Sequence, residues 1–318
     1  MGVLYYFAMR ILLVLFVGVL PLMPLIVRAE TFMLPPVEFD LVGAPQLVKA
    51  SLDDTLLDIA RRHDIGQEEI LHANPEVDRW LPGEGTEVII PSHYVLPAAP
   101  RKGLVLNTPE MRLYYFPDPE PGEHAEVQTY PVSIGRMDWA TPLGETKLVS
   151  KEKDPAWRPP ESIRAEHEAD GDPLPRVVPP GPDNPLGRYA MRLGLPGYLI
   201  HGTNKAFGVG MRVSHGCIRM LPEDIETLFP QVPVGTPVRI INQPAKAGWY
   251  GDKLFLEVHP PLDEDLSGWD SLIENVLSVI DQAQFKRLVE LDMPAIERAI
   301  VEQTGLPVVI SADMSTRE

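Results

Sequence analysis

Cysteine is almost absent from this sequence, which holds a single one, Cys217, in 318 residues. One cysteine excludes a disulfide within the chain, so no such crosslink supports the fold. An odd cysteine in an exported protein indicates an intermolecular bridge or a reactive thiol. A free cysteine is also often buried as a small apolar side chain. The interpretation of Cys217 therefore depends on the compartment of the protein and on the residues around the thiol.

Positive charge is scarce as well. The sequence has 28 Lys and Arg against 45 Asp and Glu, which gives a net charge of −17. Nucleic-acid binding needs a basic surface and docking on anionic lipid needs basic clusters, so we expect neither. Residues 244–318 hold 14 acidic and 6 basic residues, and the default interpretation of this acidic segment is a solvated surface.

Common metal-binding motifs are missing too. The sequence contains no Cys-x-x-Cys pair and no His-Glu-x-x-His motif, and it shows no internal repeat. We therefore predict neither a metal nor a cofactor.

Long apolar runs are confined to the first thirty residues. Arg10 is the only charge before the apolar run 11–27, and small residues suited to a signal peptidase follow it. This pattern predicts a signal peptide over residues 1–29 that is cleaved on export. The run approaches the roughly 18 apolar residues of a membrane anchor, but Pro21 and Pro24 interrupt it and favour cleavage.

The remaining chain divides into segments of different pattern. Residues 30–44 are predicted to be a spacer, and residues 45–92 a small domain in which two helices lie between two strands. Asp53 or Asp54 is expected to cap its first helix. The predicted elements are a strand at 46–50, a helix ending at 63, a helix at 67–73 and a strand at 86–90.

A proline-containing linker, residues 93–102, precedes a β-rich domain over residues 103–243. Residues 153–187 are rich in Pro, Asp and Glu and are predicted to be a long loop, of the kind that often forms a lid. Residues 244–318 are predicted to be an acidic extension with a strand at 253–259 and helices at 270–283 and 285–303. The predicted strands of the β-rich domain are 103–107, 111–116, 127–134, 144–152, 189–194, 198–203 and 237–242, with a short helix at 223–228.

The stretch HGTNKAFGVGMRVSHGCIRM, residues 201–220, gathers the groups that acyl transfer requires. His201 ends an apolar strand, and a loop of sixteen positions leads to Cys217, whose thiol an imidazole can draw towards thiolate. Gly216 leaves room for a substrate and for an oxyanion. Three alternatives remain: His201 as a core histidine, His215 as a packing residue, or a zinc site formed by His201, His215 and Cys217, which lacks a fourth local ligand.

This stretch resembles the active-site signature of the L,D-transpeptidases, the YkuD-type catalytic domain, and the similarity extends over residues 101–243. The segment 241–262 resembles the periplasmic ErfK/YbiS branch. Residues 45–92 resemble a LysM domain, a module that binds glycans containing N-acetylglucosamine. The resemblance implies a β-sandwich-like enzyme in the periplasm, a small βααβ LysM-like domain and a helical C-terminal tail. It also implies that peptidoglycan stem peptides and glycan are the partners.

The resemblance assigns roles to individual residues of the signature. Many relatives, mostly Gram-positive ones, carry Asn where this chain has Arg219. The arginine at this position fits the Gram-negative branch. The implied roles are Cys217 as nucleophile, His201 as base, the Gly202 carbonyl as its orienting group, His215 as a pocket residue, Ser214 as support for the turn, the Gly216 and Cys217 N–H groups as oxyanion donors, and Arg219 as a pocket or carboxylate-binding residue.

The implied reaction is attack of Cys217 on the diaminopimelate carbonyl of a tetrapeptide stem, with release of D-alanine. The acceptor is a second diaminopimelate or the C-terminal lysine of an outer-membrane lipoprotein. Alternatives are an L,D-carboxypeptidase or amidase-like activity on the same bonds, and a papain-like endopeptidase, in which the Cys normally precedes the His. A wall-binding protein with an inactive catalytic domain is the non-enzymatic alternative.

Overall fold

The computed structural model describes residues 30–265 and 268–312. The predicted signal peptide, residues 1–29, lies outside the described residues. Within the described ranges, no helix has both the length and the apolar character needed to cross a membrane.

The described chain is mainly β, as predicted, with six α-helices. The strands are β1 Glu30–Met33, β2 Leu41–Gly43, β3 Gln46–Lys49, β4 Glu87–Ile90, β5 His93–Val95, β6 Gly103–Asn107, β7 Arg112–Phe116, β8 Glu126–Gly135, β9 Gly144–Lys153, β10 Tyr189–Leu193, β11 Leu199–His201, β12 Arg212–Ser214, β13 Ile218–Met220, β14 Pro237–Ile241, β15 Ala245–Tyr250, β16 Lys253–Val258 and β17 Val308–Val309. The helices are α1 Leu56–Arg62, α2 Gln67–Ala73, α3 Glu161–Ala169, α4 Pro222–Gln231, α5 Gly268–Lys286 and α6 Met293–Glu302.

Eight strands of the central sheet close into a ring. They pair in the order β8, β13, β11, β10, β9, β14, β6, β7, and β7 pairs back to β8. The sandwich-like detail of the fold prediction is therefore not confirmed, because the pairing leaves no break at which two separate sheets would begin. The core inside this barrel is apolar and includes Leu104, Leu113, Ile134, Met191, Ile200 and Ile218.

Residues 45–92 have the βααβ order that is predicted for the LysM-like module. Strands β3 and β4 are antiparallel, and α1 and α2 pack on them around a separate core that includes Ile59, Ile70 and Val88. The cap of α1 differs from the prediction: the Thr55 hydroxyl accepts from the Asp58 N–H at 3.1 Å. Asp54 instead pairs with Arg62 at 2.7 Å.

The segments predicted as spacer and linker both contain strands. Strand β1 extends the central sheet by pairing with β8, and β2 pairs with β5 at the start of the linker. Pairs between strands so far apart in sequence leave no local signal.

The segment 153–187 is not an irregular loop throughout, because it contains α3. Only Ile163 is buried on this helix, so the sequence lacks the apolar periodicity that would have indicated it. The fully buried Asn184 amide anchors the segment by donating to the carbonyls of Pro155 and Pro179 at 2.8 and 3.1 Å.

The C-terminal extension forms its own sheet, β15–β16–β17, covered by α5 and α6 around a third apolar core. The second predicted helix begins later than expected, at Met293. The Asp292 carboxylate caps it by accepting from the Ala295 N–H at 3.1 Å. Phe285 belongs to the last turn of α5, and its side chain is 95% exposed.

Buried ion pairs join the three parts. Arg112 of β7 lies 2.7 Å from Glu69 of the LysM-like module. Lys246 of β15 lies 2.7 Å from both Glu110 and Glu257. The module also contacts the loop between His201 and Cys217, because the N–H groups of residues 67 and 68 donate to the carbonyls of residues 209 and 210 at 3.3 and 3.1 Å.

Candidate active site

Two short parallel strands bring the signature residues together. In the pair of β11 with β13, Ile200 is the register partner of Ile218, and His201 of Arg219. Both isoleucines lie in the barrel core. Because side chains alternate along a strand, His201 and Arg219 point to the outer face, as does Cys217 just before β13. His201 and Cys217 are thus diagonal neighbours on one face.

His201 is a buried, neutral imidazole of defined orientation. Its side chain is 4% exposed, and Nδ1 lies 2.6 Å from the Gly202 carbonyl oxygen. A carbonyl only accepts, so Nδ1 carries the proton and Nε2 is left as a proton acceptor. Burial, aided by the charge of Arg219, lowers the pKa of His201 to about 4, although the Gly202 and Leu186 carbonyls oppose this shift. The contact on which the Gly202 role depends is therefore present.

Cys217 is a partly exposed thiol. Burial raises the pKa of Cys217, while a backbone hydrogen bond at Leu199 and the charges of Arg219 and Arg192 oppose the increase. Its Sγ lies 3.7 Å from the Gly197 carbonyl oxygen. The site at rest therefore holds a neutral thiol beside a neutral imidazole, and the proton must leave during attack.

The turn before the thiol is held by the fully buried Ser214. Its hydroxyl donates to the Cys217 carbonyl at 2.5 Å and accepts from the Gly216 N–H at 3.1 Å. Gly216 has φ +95°, and a Cβ there would lie 2.7 Å from Cε1 of Tyr198. Only glycine fits this position. The Gly216 N–H is already engaged, so of the two predicted oxyanion donors the Cys217 N–H is the one left.

His215 contacts α3 and the loop that carries Trp139. Its Nε2 lies 3.1 Å from Glu166 Oε2, and its ring packs edge-on against Trp139 at 5.2 Å. Arg136 binds the other Glu166 oxygen at 2.5 Å. Burial lowers the pKa of His215, and the Glu166 carboxylate opposes this. The long segment 153–187 therefore contacts the signature box directly.

The structure adds site residues that the sequence did not single out. The Thr141 hydroxyl donates to the Gly216 carbonyl at 2.9 Å, and Trp139 lies on the same loop. Both fall within residues 131–145, a stretch that resembles the family but that offered no residue-level signal. No local sequence pattern distinguishes Glu166 or Arg192 from the other charged residues of their segments.

The zinc alternative is not supported by the geometry. Within the described ranges, the donor atoms that converge within 4.8 Å are those of Glu110, Glu257 and His259, far along the chain from the signature. There the Lys246 ammonium already lies 2.7 Å from both carboxylates. His201, His215 and Cys217 do not converge in this way, so the signature supports proton transfer and nucleophilic attack instead.

Comparisons with known proteins agree with this chemistry. The YkuD family model, described as an L,D-transpeptidase catalytic domain, matches residues 101–240. "Probable L,D-transpeptidase YcfS" of Escherichia coli strain K12 is 42% identical over 288 residues, 88% of each chain. "Probable L,D-transpeptidase YbiS" of the same strain is 39% identical over 291 residues, 88% of this chain and 92% of the relative. "Probable L,D-transpeptidase ErfK/SrfK" of Salmonella typhimurium is 39% identical over 289 residues, 89% and 92% of the two chains.

Proposed function

This chain belongs to the L,D-transpeptidase family, and from that premise we propose that it transfers a peptidoglycan stem peptide to an amine through a thioester on Cys217. The observation that carries the proposal is the tautomer and orientation of the His201 imidazole. Its Nδ1–H is held by the Gly202 carbonyl, which leaves Nε2 as the nitrogen that can accept a proton, and His201 shares its face with Cys217.

The first half-reaction forms the thioester. The Cys217 sulfur attacks the diaminopimelate carbonyl carbon while the thiol proton passes to His201 Nε2. The Cys217 N–H then donates to the resulting oxyanion. The C–N bond then breaks, and D-alanine leaves with the proton that His201 returns. No metal or ATP is needed, because the thioester keeps the acyl group activated.

The second half-reaction transfers the acyl group to an amine. The acceptor nitrogen attacks the thioester, its proton passes to His201, and the sulfur leaves and is reprotonated. We propose a second diaminopimelate or the C-terminal lysine of an outer-membrane lipoprotein as the acceptor. Attack by water would give L,D-carboxypeptidase activity through the same intermediate.

We further propose that the LysM-like module binds the glycan of the same polymer. Trp80 and Leu81, in the loop between α2 and β4, are exposed apolar side chains suited to contact a sugar face. The module contacts the loop that leads to Cys217, so a glycan held there would raise the local concentration of stem peptides. A glycan-bound enzyme of this kind belongs in the periplasm.

The test follows the products by mass spectrometry. Protein spanning residues 30–318 is incubated with disaccharide tetrapeptides, with and without a peptide that ends in lysine. A dimer that has lost one D-alanine indicates cross-linking, and a peptide conjugate indicates lipoprotein anchoring. Cys217→Ala should give neither product. Identical products from wild type and Cys217→Ala would refute the assignment and favour a binding protein.

A further inference from the structure

Two arginine side chains lie near the thiol on the outer face of the barrel. Arg219 follows Cys217 by two positions and shares its face. Arg192 of β10 is the register partner of Leu199 on β11. Leu199 directly precedes Ile200 on β11, and Cys217 directly precedes Ile218 on β13. Because Ile200 and Ile218 are register partners, Leu199 lies beside Cys217. Arg192, Leu199 and Cys217 thus form one row across three strands.

Arg192 points outward with the thiol. Its neighbours Met191 and Leu193 are buried in the barrel core, and the Arg192 side chain between them is exposed. The charges of Arg192 and Arg219 both act on the Cys217 thiol, since each lowers its pKa against the effect of burial. Register and electrostatics therefore place both guanidinium groups near the reacting sulfur.

Neither arginine has a partner in the part of the chain that the structure describes. No carboxylate there pairs with Arg192 or Arg219. Nearby arginines are paired: Arg188, just before β10, lies 3.5 Å from Asp154 and 3.6 Å from Glu226. In a chain with 45 acidic and 28 basic residues, two unpaired guanidinium groups around a nucleophile leave positive potential for an anionic ligand.

We propose that Arg192, together with Arg219, binds the C-terminal carboxylate of the donor stem peptide. This inference rests on the proposed transpeptidase function. The leaving D-alanine carries that carboxylate one residue beyond the attacked carbonyl, so it must lie close to Cys217 during attack. A guanidinium presents two parallel N–H donors that match a carboxylate, and the exposed side chain of Arg192 is free to turn towards it.

This subsite makes Arg192 a specificity residue. It would favour donors that end in a free carboxylate directly after the scissile bond and disfavour stems that are longer or capped there. A charge-assisted contact of this kind corresponds to a loss of roughly 10- to 100-fold in kcat/KM when it is removed.

The first measurement compares alkylation of Cys217 by anionic iodoacetate and neutral iodoacetamide, which needs no catalysis. In Arg192→Gln we expect the ratio of the two rates to fall severalfold, because the anionic reagent loses attraction. Arg188→Gln is the matched control, since its charge is paired, and it should leave the ratio unchanged. Equal ratios in wild type and Arg192→Gln would overturn the placement of this charge at the thiol.

The second measurement follows D-alanine or D-alaninamide release from tetrapeptides with a free or an amidated C-terminus. Amidation should lower kcat/KM of the wild type by roughly 10- to 100-fold and should have little effect on Arg192→Gln. Arg192→Lys should recover part of the preference. Melting curves that match the wild type establish that each variant is folded.

Different outcomes separate the two proposals. Equal rates on free and amidated donors by the wild type would overturn the subsite alone. If instead amidation of the diaminopimelate side-chain carboxylate abolished the difference between wild type and Arg192→Gln, the assignment to the terminal carboxylate would be wrong. Absence of any release by the wild type would refute the transpeptidase proposal and, with it, the subsite.

Discussion

Charged groups are arranged in opposite ways at the junctions between the parts of this protein and on the outer face of the barrel. At the junctions, Lys246 lies 2.7 Å from two carboxylates and Arg112 lies 2.7 Å from one. At the signature, the Cys217 thiol and the His201 imidazole are neutral. The two nearby arginines lack a carboxylate partner among the described residues. Charges that hold the fold are satisfied within the chain, and charges near the thiol are left for substrate.

The energetic reason is desolvation. A charge taken out of water without a partner destabilises the fold by several kcal/mol, so deep sites such as that of Lys246 must be paired. On the partly exposed outer face water can solvate the arginines until a substrate replaces it. The contrast predicts that substitutions at the junctions change stability, whereas changes on the outer face alter reactivity.

The largest effect is expected at the Lys246 junction. Lys246→Met removes the ammonium that Glu110 and Glu257 share and leaves His259, 2.7 Å from Glu257, as their remaining basic neighbour, so the free energy of unfolding should fall by about 3–5 kcal/mol. Urea denaturation at pH 7 measures this. The activity of the fraction that remains folded should match that of the wild type, because the junction does not contact the signature.

Lys102→Met is the matched control. Lys102 pairs with Asp118 at 3.8 Å, and both side chains are largely exposed. This variant should stay within about 0.5 kcal/mol of the wild type. Comparable losses in the two lysine variants would contradict the distinction between junction and surface.

One junction breaks the pattern. Asp64 of the LysM-like module and Asp224 of α4 are buried together, and no donor group of the described residues bonds to their carboxyl oxygens. Burial and the neighbouring carboxyl raise the pKa of Asp224 well above its usual range, and burial raises the pKa of Asp64 to about 6. The two must therefore share a proton.

Because the carboxyl pKa is raised in the folded state, this junction contributes more to stability at acidic pH than at neutral pH. Its contribution is complete below the unfolded pKa of about 4 and is lost by about 1.4 kcal/mol per pH unit as the pH rises towards the folded value. Asp224→Asn removes that dependence. Relative to wild type, the free energy of unfolding of Asp224→Asn should rise by on the order of 2–3 kcal/mol between pH 4 and pH 6. Thermal or urea unfolding at both pH values measures this difference.

Asp118→Asn, a change at an exposed carboxylate, should track the wild type at both pH values. An Asp224→Asn variant that shifts by the same amount at pH 4 and pH 6 would show that the carboxyl pair does not hold a shared proton.

Local pattern was enough to predict much of this molecule. Strand 103–107 and the helix after the signature follow from periodicity, and the box around Cys217 follows from its resemblance to the family. The closure of the barrel did not follow, because the pairing of β7 with β8 and of β1 with β8 depends on contacts that no short window contains.

The residues missed at the site have a common cause. Glu166 stands on a helix with one buried apolar residue, and Arg192 is one exposed position in a strand. The role proposed for Arg192 depends on its position in one row with Leu199 and Cys217 across three strands. The contact between Asp64 and Asp224 likewise joins residues 160 positions apart in the sequence.

The neutral state of the thiol gives a prediction for its pH dependence. Because burial raises the pKa of Cys217, alkylation by iodoacetamide should rise about tenfold per pH unit from pH 6 to pH 9 without a plateau. Glutathione, measured in parallel, should level off at lower pH. A constant rate between pH 5 and pH 8 would indicate a preformed thiolate–imidazolium pair and would contradict the neutral site.

The smallest effect is expected where α3 meets the signature box. Glu166→Gln keeps an acceptor for His215 but loses the charge that Arg136 and His215 share. Because Glu166 is solvent-accessible, kcat/KM for the donor should fall only roughly two- to fivefold. The pKa of His215 should drop further, which an NMR titration would detect. Glu168→Gln, an exposed position on the same helix, should change neither quantity. A loss as large as that of Cys217→Ala would instead make Glu166 part of the proton-transfer chemistry, so this variant tests whether α3 supports the pocket or takes part in the reaction.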